Sequence, residues 1–443
     1  MMRHYMAVLG GLAATAVILS GCSTATTGPT TAASEPPATS ATSAASEPPA
    51  TSAGSSNVLS IATDNPAPMK AVINAFKAAN PDVIITTQEA PTGYDEFMQT
   101  ALAAGTAPDI IRTFPGSAGK TKVGALVAGG ALKDLSSSSW VEKMSGTQKA
   151  AFGIDGKIYS VPIGAVALGP VYNMSTMKKL GVDIPSTFTQ VLQFCAKAKA
   201  AGKVAYSQFL KGGSVLLSYA QVANLVYGPN PGFTAEQLAG KQTFAGSGWV
   251  KAFELQQQMK DAGCFNDGAL GTEWSVAFTD VATGKAAATI AFSDVSGITS
   301  QAPAGTVIQI APMPVDDSGD LYLAVADSSG YGIYSKAKNP ELAAKFLDFM
   351  ATPDGQNAYA STGGAPALPN TTFKATEKNQ EVMQEYINKG KTAGWPDQLW
   401  VGAETGTALG DVSQGIFSKT MTPKDAATTM DQAWATDVQN SKK

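Results

Sequence analysis

Residues 58–113 read "VLSIATDNPAPMKAVINAFKAANPDVIITTQEAPTGYDEFMQTALAAGTAPDIIRT", and their periodicity decides the fold class. Residues 58–62 are an apolar run of strand length. Met69, Val72, Ile73 and Phe76 then recur at the spacing of one helix face. Asn80-Pro81 stops that helix, and the β-branched run at 83–87 predicts a second strand. Thr92 and Asp95 have the spacing of a capping box for a helix through Phe97, Met98 and Leu102 that ends at Gly105. Pro108-Asp109 leads into a third strand at 110–113. Strand and helix alternating at this spacing predict right-handed parallel crossovers, hence an α/β sheet. Ligands of open α/β sheets lie outside the carboxyl ends of the strands, which nominates Asp64, Asn65 and Phe114.

The rest of the body reads the same way. Thr187 with Gln190 opens a helix that runs to Ala201 and closes at Gly202, and a second spans about 249–262. Residues 286–292, "AAATIAF", read as a buried strand whose carboxyl end points to the residues after Ile290, Asp294 among them. Asn339-Pro340 opens a helix with Leu342, Phe346, Phe349 and Met350 on its apolar side, and Pro353 lies past its stop. Thr422-Pro423 opens the last helix, with Met430 and Trp434 on its buried side. Cys195 and Cys264 are too few and too far apart for a metal knuckle. They are either a disulfide or buried free thiols, Cys195 sharing a helix face with Phe188, Val191 and Leu192.

Upstream, residues 1–21 show a basic start, a short apolar stretch and then small residues, the plan of a secretory signal peptide. The apolar stretch falls short of the roughly 20 residues a membrane-spanning helix needs. Leu19-Ser20-Gly21-Cys22 resembles the lipobox of bacterial lipoproteins. That likeness implies lipid on the Cys22 sulfur and on its new amino group. Residues 22–57 hold no large apolar side chain and repeat "AASEPPATSA" at 32–41 and 44–53. With no apolar surface to offset ordering entropy, they are expected to form a disordered tether that reaches on the order of 100 Å when stretched.

Composition excludes several chemistries. Without its leader the chain loses one base, Arg3, and keeps 30 basic against 35 acidic residues. That mild acidity argues against nucleic acid as a partner. The one histidine, His4, lies in the leader, which removes Ser-His-Asp catalysis and imidazole-based zinc sites. Hydrolysis by paired carboxylates survives this count, but no motif pairs the acids. No enzyme activity, cofactor or metal is expected.

Five stretches occur in a familiar order: "VINAFKAANPDVIITTQ", "YDEFMQTALAAGTAPDII", "GIDGKIYSVPIGAVALGPVYN", "FTDVATGKAAATI" and "SKAKNPELAAKFLDFMATPDGQ". Together they resemble the extracellular solute-binding proteins of bacterial ABC importers, the group with the maltose- and oligosaccharide-binding members. The resemblance implies an α/β, two-lobed periplasmic-binding-protein fold (a Venus flytrap) with crossing hinge strands. Crossings are expected near 162–167, 324–329 and 367–369, with hinges near Gly164 and Ala326. Lobe 1 would comprise 58–165 plus 327–367, and lobe 2 would comprise 166–326 plus 368–443.

The implied function is sugar binding in the interlobe cleft. A monomer anchored at the extracytoplasmic face of the cell membrane would deliver its cargo to permease transmembrane subunits and their ATPase. A sugar needs charged hydroxyl acceptors and aromatic plates. The candidates are Asp64, Asn65, Tyr94, Phe114, Tyr172, Asp294, Tyr331, Trp395 and Trp400, with Tyr172 at the family's cleft edge and one of the two tryptophans stacking. Trp140, Trp249 and Trp434 are assigned to packing. Two departures stand out: Val166 replaces a glutamate of some maltose-binding relatives, and Asp294 replaces a tryptophan. Both favour a smaller or differently linked sugar. The alternatives are a polyol or polyamine in the same cleft, or a sensory lipoprotein.

Overall fold

The computed structural model describes residues 57–442 apart from Pro91, Ala118 and Gly363. The leader, Cys22 and nearly all of the tether lie outside the described residues. Eleven strands are present among the described residues: β1 (Val58–Thr63), β2 (Ile84–Glu89), β3 (Ile110–Thr113), β4 (Gly153–Ile154), β5 (Lys157–Ile158), β6 (Val161–Asn173), β7 (Val204–Tyr206), β8 (Ala286–Phe292), β9 (Ile308–Ile310), β10 (Leu323–Ile333) and β11 (Thr392–Ala393). β4 and β5 form a small hairpin. The other nine make one sheet in the order β2-β1-β3-β10-β6-β8-β7, with β11 added on β10 and β9 on β6.

The opening stretch folds as its periodicity demands. β1 pairs in parallel with both β2 and β3, and the helix Pro66–Ala79 between β1 and β2 buries Met69, Val72 and Phe76. Its Pro66 sits in the first turn, where the missing N–H goes unnoticed. β2 is an edge strand, mostly exposed despite its β-branched residues. One expectation is corrected here. Thr92 and Asp95 make no capping box: the helix Tyr94–Ala103 starts after Gly93, whose φ is +70°, and the Asp95 carboxylate accepts a hydrogen bond from Thr121 instead. A left-handed backbone at the cap position takes Thr92 out of reach. Pro353 lies past the stop of the helix Pro340–Met350, as expected, and opens a further helix, Pro353–Ala360.

β6 and β10 are the longest strands, and they thread both halves of the molecule. They pair antiparallel from Ala324 opposite Leu168 to Tyr331 opposite Val161. Along β6 the surroundings change. Val161 and Ile163 pack with Leu59, Ile111, Phe76 and Phe346, whereas Leu168 and Tyr172 pack with Phe194, Trp249, Phe253 and Trp400. A change of core along the same two strands is what a two-lobed fold with crossing strands requires. Gly164 stands at the break, with φ +72°, and a Cβ there would lie 2.8 Å from the Tyr359 ring. A β-carbon would meet both a strained backbone and a clash, so only glycine fits. The third crossing is pinned to the first, since Ala165 and Ala365 exchange backbone hydrogen bonds of 2.7 and 2.9 Å. Leu368, placed with lobe 2 above, packs into the first core, so that crossing falls a little later in the chain.

Cys195 and Cys264 are joined by a disulfide that ties the helix Phe188–Ala200 to the turn after the helix Gly248–Asp261. Both ends are buried in the second core. Among the described residues no helix is long and apolar enough to cross a membrane.

Candidate functional site

The carboxyl ends of β1 and β3 come together in the first lobe. Asp64, just past β1, forms an ion pair with Arg112 of β3; their side chains are 20% and 8% exposed. The Arg112 guanidinium lies 5.0 Å from the centre of the Phe114 ring, a cation–π distance. Tyr94 donates its hydroxyl to the Arg112 carbonyl at 2.9 Å and turns its ring edge to Phe114. Behind this layer Thr63 Oγ1 and the Tyr331 hydroxyl share a hydrogen bond of 2.8 Å, and Asn65 Nδ2 reaches the Tyr359 hydroxyl at 3.4 Å. Burial opposes the charge on Arg112, but Tyr359, Tyr331 and Asp64 outweigh it and its pKa rises. Burial likewise drives the Tyr94 phenol upward, so it stays a neutral donor.

The second lobe presents a different surface. β8 ends at Phe292 and β11 is followed closely by Trp395; the two rings lie 5.2 Å apart at 39°. Both are partly buried, and Trp395 Nε1 has no hydrogen-bond partner among the described residues. Two residues on, Asp397 accepts from Lys122 of the first lobe at 3.1 Å through Oδ2, while its Oδ1 is likewise unpartnered. The walls touch along this edge. Gly116, with φ +91°, comes so near Gln398 that a Cβ would stand 2.6 Å from its carbonyl oxygen. Further out on lobe 2, a groove of about 530 Å³ is lined by Phe209, Leu216 and the exposed Trp274, with the Lys211–Glu273 ion pair at its rim.

Between the walls run the crossing strands, and one of them carries a carboxylate. Asp327 of β10 accepts a hydrogen bond from Gln148 Nε2 at 3.1 Å on Oδ1. The same amide donates to the Ala367 carbonyl at 2.8 Å, so one side chain from the helix Gly146–Phe152 links the second and third crossings. Gln398 Nε2 donates to the Asp327 carbonyl at 2.9 Å. Burial pushes the Asp327 carboxyl up to about 7, with the Gln148 hydrogen bond pulling weakly the other way.

A family model described as bacterial extracellular solute-binding protein matches residues 61–357, which contain both crossing strands and the first-lobe wall. The chain belongs to this family. Among curated relatives, this solute-binding protein is 21% identical to the multiple sugar-binding protein of Streptococcus mutans over 343 residues, which is 75% of this chain and 80% of the relative. It is 25% identical to the maltodextrin-binding protein MdxE of Bacillus subtilis over 353 residues, covering 73% and 76% of the two chains. A family 1 extracellular solute-binding protein from Bifidobacterium longum subsp. infantis shares the fold with a TM-score of 0.69 at 22% identity, over 86% of this chain and 99% of that one.

The solute-binding protein gathers some of the expected site residues and scatters others. Asp64, Asn65, Tyr94 and Phe114 meet on one wall, and Trp395 stands on the other. Tyr172 is corrected: it is fully buried in the second core, its hydroxyl 3.1 Å from that of Tyr206, because β6 is covered on both faces there. Trp400 is corrected too, being 2% exposed and packed against Tyr219, Phe244 and Trp249. Tyr331 lies beneath the first wall with no exposed surface. Asp294 is exposed and accepts a hydrogen bond from the Ser296 amide of its own turn at 3.0 Å.

Arg112, Asp327, Phe292 and Gln148 escaped the sequence reading. A base inside the strand 110–113 was the visible signal for Arg112, and an acid inside a crossing segment was the signal for Asp327. Gln148 has no local signal, since its role depends on three segments distant in sequence.

Proposed function

We propose that this protein is the sugar-binding component of an ABC importer. In this reading it works as a monomer without catalysis or cofactor, held by a lipidated Cys22 at the extracytoplasmic face of the cell membrane. It closes its two lobes on a mono- or oligosaccharide and passes it to a permease. The observation that carries the reading is the pairing of unlike walls. A pyranose has hydroxyl groups around its rim and a flat C–H face, and it needs polar groups on one side and an aromatic plate on the other. The Asp64, Asn65 and Arg112 layer meets the first need, and the partly exposed Phe292–Trp395 pair meets the second. The names of the two curated relatives support a sugar. A polyamine fits less well, because Arg112 already neutralises Asp64 and would repel a cation.

A thermal-shift screen of mono- and oligosaccharides, polyols and polyamines tests this. A ligand at a hundredfold its Kd stabilises the native state by about 2.7 kcal/mol. Shifts confined to sugars are the expected outcome; shifts confined to polyamines would refute it.

A further inference from the structure

Four carboxylates stand on or near the cleft, and they are not equivalent. Asp64 is committed to Arg112, Asp397 to Lys122, and Asp294 to the amide of its own turn. Asp327 has no cation. Its Oδ1 is fixed by Gln148, and its Oδ2 has no hydrogen-bond partner among the described residues yet is not sealed from the surface. An unneutralised acid at the junction of three crossings is poor for stability, because burial without a counter-charge disfavours the ionised form. Its position suits ligand capture: the elements around it supply amides and carbonyls, and they leave the one free oxygen open.

We propose that Asp327 is the carboxylate that holds the ligand's hydroxyl groups at the floor of the cleft. This rests on the sugar reading above and makes it specific: the cargo offers at least one hydroxyl donor to the hinge itself, so occupancy and lobe geometry are joined at one residue. Gln148 is then a positioning residue, which aims the carboxylate and ties it to the third crossing through Ala367.

Proton linkage follows. The ionised acid accepts hydroxyl donors more strongly than the neutral one, and burial raises the unliganded carboxyl to about 7. Binding must therefore strengthen as pH rises through about 7 and level off above. The groups that face Asp327 do not blur this profile. The helix Gly146–Phe152 contributes Gln148, β6 contributes Ala165 in register, the third crossing contributes a carbonyl, and the 396–398 turn contributes Gln398. The titratable groups on packed elements are Tyr359, against Gly164, and Asp397 with Lys122, on the segment of Gln398; none of the three bonds the carboxylate.

Calorimetry of the full chain with maltose, raffinose and D-galactose between pH 5.5 and 8.5 tests the assignment, using wild type, Asp327→Asn and Asp294→Asn. Asparagine keeps the shape and the Gln148 contact but offers no charge. For whichever sugar binds, wild type should tighten on the order of tenfold from pH 5.5 to 8.5. Asp327→Asn should be weaker by ten- to a hundredfold at pH 8.5 and flat with pH, and Asp294→Asn should stay within about twofold. Equal affinity and an equal pH slope in Asp327→Asn would overturn the assignment and leave the sugar reading standing. No binding of any of the three sugars to wild type would overturn both. Should Asp327→Asn fail to fold, the wild-type profile decides, since a flat profile excludes an acceptor that titrates near pH 7.

Discussion

On the first-lobe wall an acid and a base neutralise each other beside an aromatic ring; on the second-lobe wall two aromatic rings tilt together over polar atoms that have no partner. Both walls sit at strand ends of a single sheet, yet their chemistry differs because their cores differ. The first lobe needs Arg112 inside β3, and a buried guanidinium demands a carboxylate. The second lobe buries much of its aromatic stock (Trp249, Trp400, Phe244, Tyr172) and leaves Phe292 and Trp395 partly exposed just past β8 and β11. Exposure, more than residue type, therefore separates a plate from a pillar.

The largest expected effect breaks that separation directly. Trp400→Ala removes a ring enclosed by Tyr219, Phe244 and Trp249, and should destabilise the protein by about 3–5 kcal/mol. Trp395→Ala, five residues away on the rim, should change unfolding far less. It should instead weaken sugar binding by about 0.5–1.5 kcal/mol beyond any lost area. Urea unfolding and calorimetry on the two variants check the contrast; equal stability losses would erase it.

Next comes the acid that belongs to neither wall. Asp327 has its folded pKa raised from 3.8 to about 7, so the folded state binds the proton more tightly than the unfolded chain. Its stabilising contribution is complete below pH 3.8 and is lost as pH rises through 7. Asp327→Asn should therefore match wild type near pH 4 and exceed it above pH 7, by about 2–4 kcal/mol once partial openness is allowed for. Calorimetric Tm at pH 4.5 and pH 8 tests this. The gain should be small at pH 4.5 and several times larger at pH 8; equal Tm gains at both would point to packing in place of charge.

Arg112→Met tests the first wall. Its removal strands Asp64, one-fifth exposed, and should cost about 2–3 kcal/mol, below the 3–5 typical of a fully buried pair. Adding Asp64→Asn should restore part of the loss. A double variant no better than Arg112→Met alone would show that the arginine acts through its contacts with Phe114 and the tyrosines.

Much of this fold was legible because local chemistry and tertiary structure agree. The 3.6 spacing of Met69, Val72 and Phe76, the Thr187, Asn339 and Thr422 caps, and the run 286–292 all reappear as helices, caps and β8. The lower part of the site was legible by a general rule about strand ends, which found Asp64, Asn65 and Phe114. Tyr172 and Trp400 misled because sequence gives residue type without exposure, and a polar-tipped aromatic reads the same in a core as on a rim. Asp327 and Gln148 were hidden for a second reason: they matter only through contacts across 179 residues of sequence, which no local pattern records.

The smallest effect concerns the edge where the walls touch. Lys122 and Asp397 meet at 3.1 Å with side chains 20% and 31% exposed, one from each lobe. At that exposure the pair contributes up to about 1 kcal/mol and is screened by salt. If it forms with the lobes together and parts when they open, its whole contribution favours the closed state, because a contact shifts a population only by its difference between the two states. Lys122→Ala should then weaken sugar affinity by at most about fivefold, and affinity should lose most of its dependence on salt between 0.05 and 1 M, about the range over which screening shortens from well above 10 Å to 3 Å. Small-angle scattering of the unliganded variant should show equal or greater extension than wild type. Unchanged affinity with unchanged salt dependence would mean that the pair persists in the open form. Closure would then rest on the ligand contacts alone, those of Asp64 and Trp395 on the walls and of Asp327 at the floor.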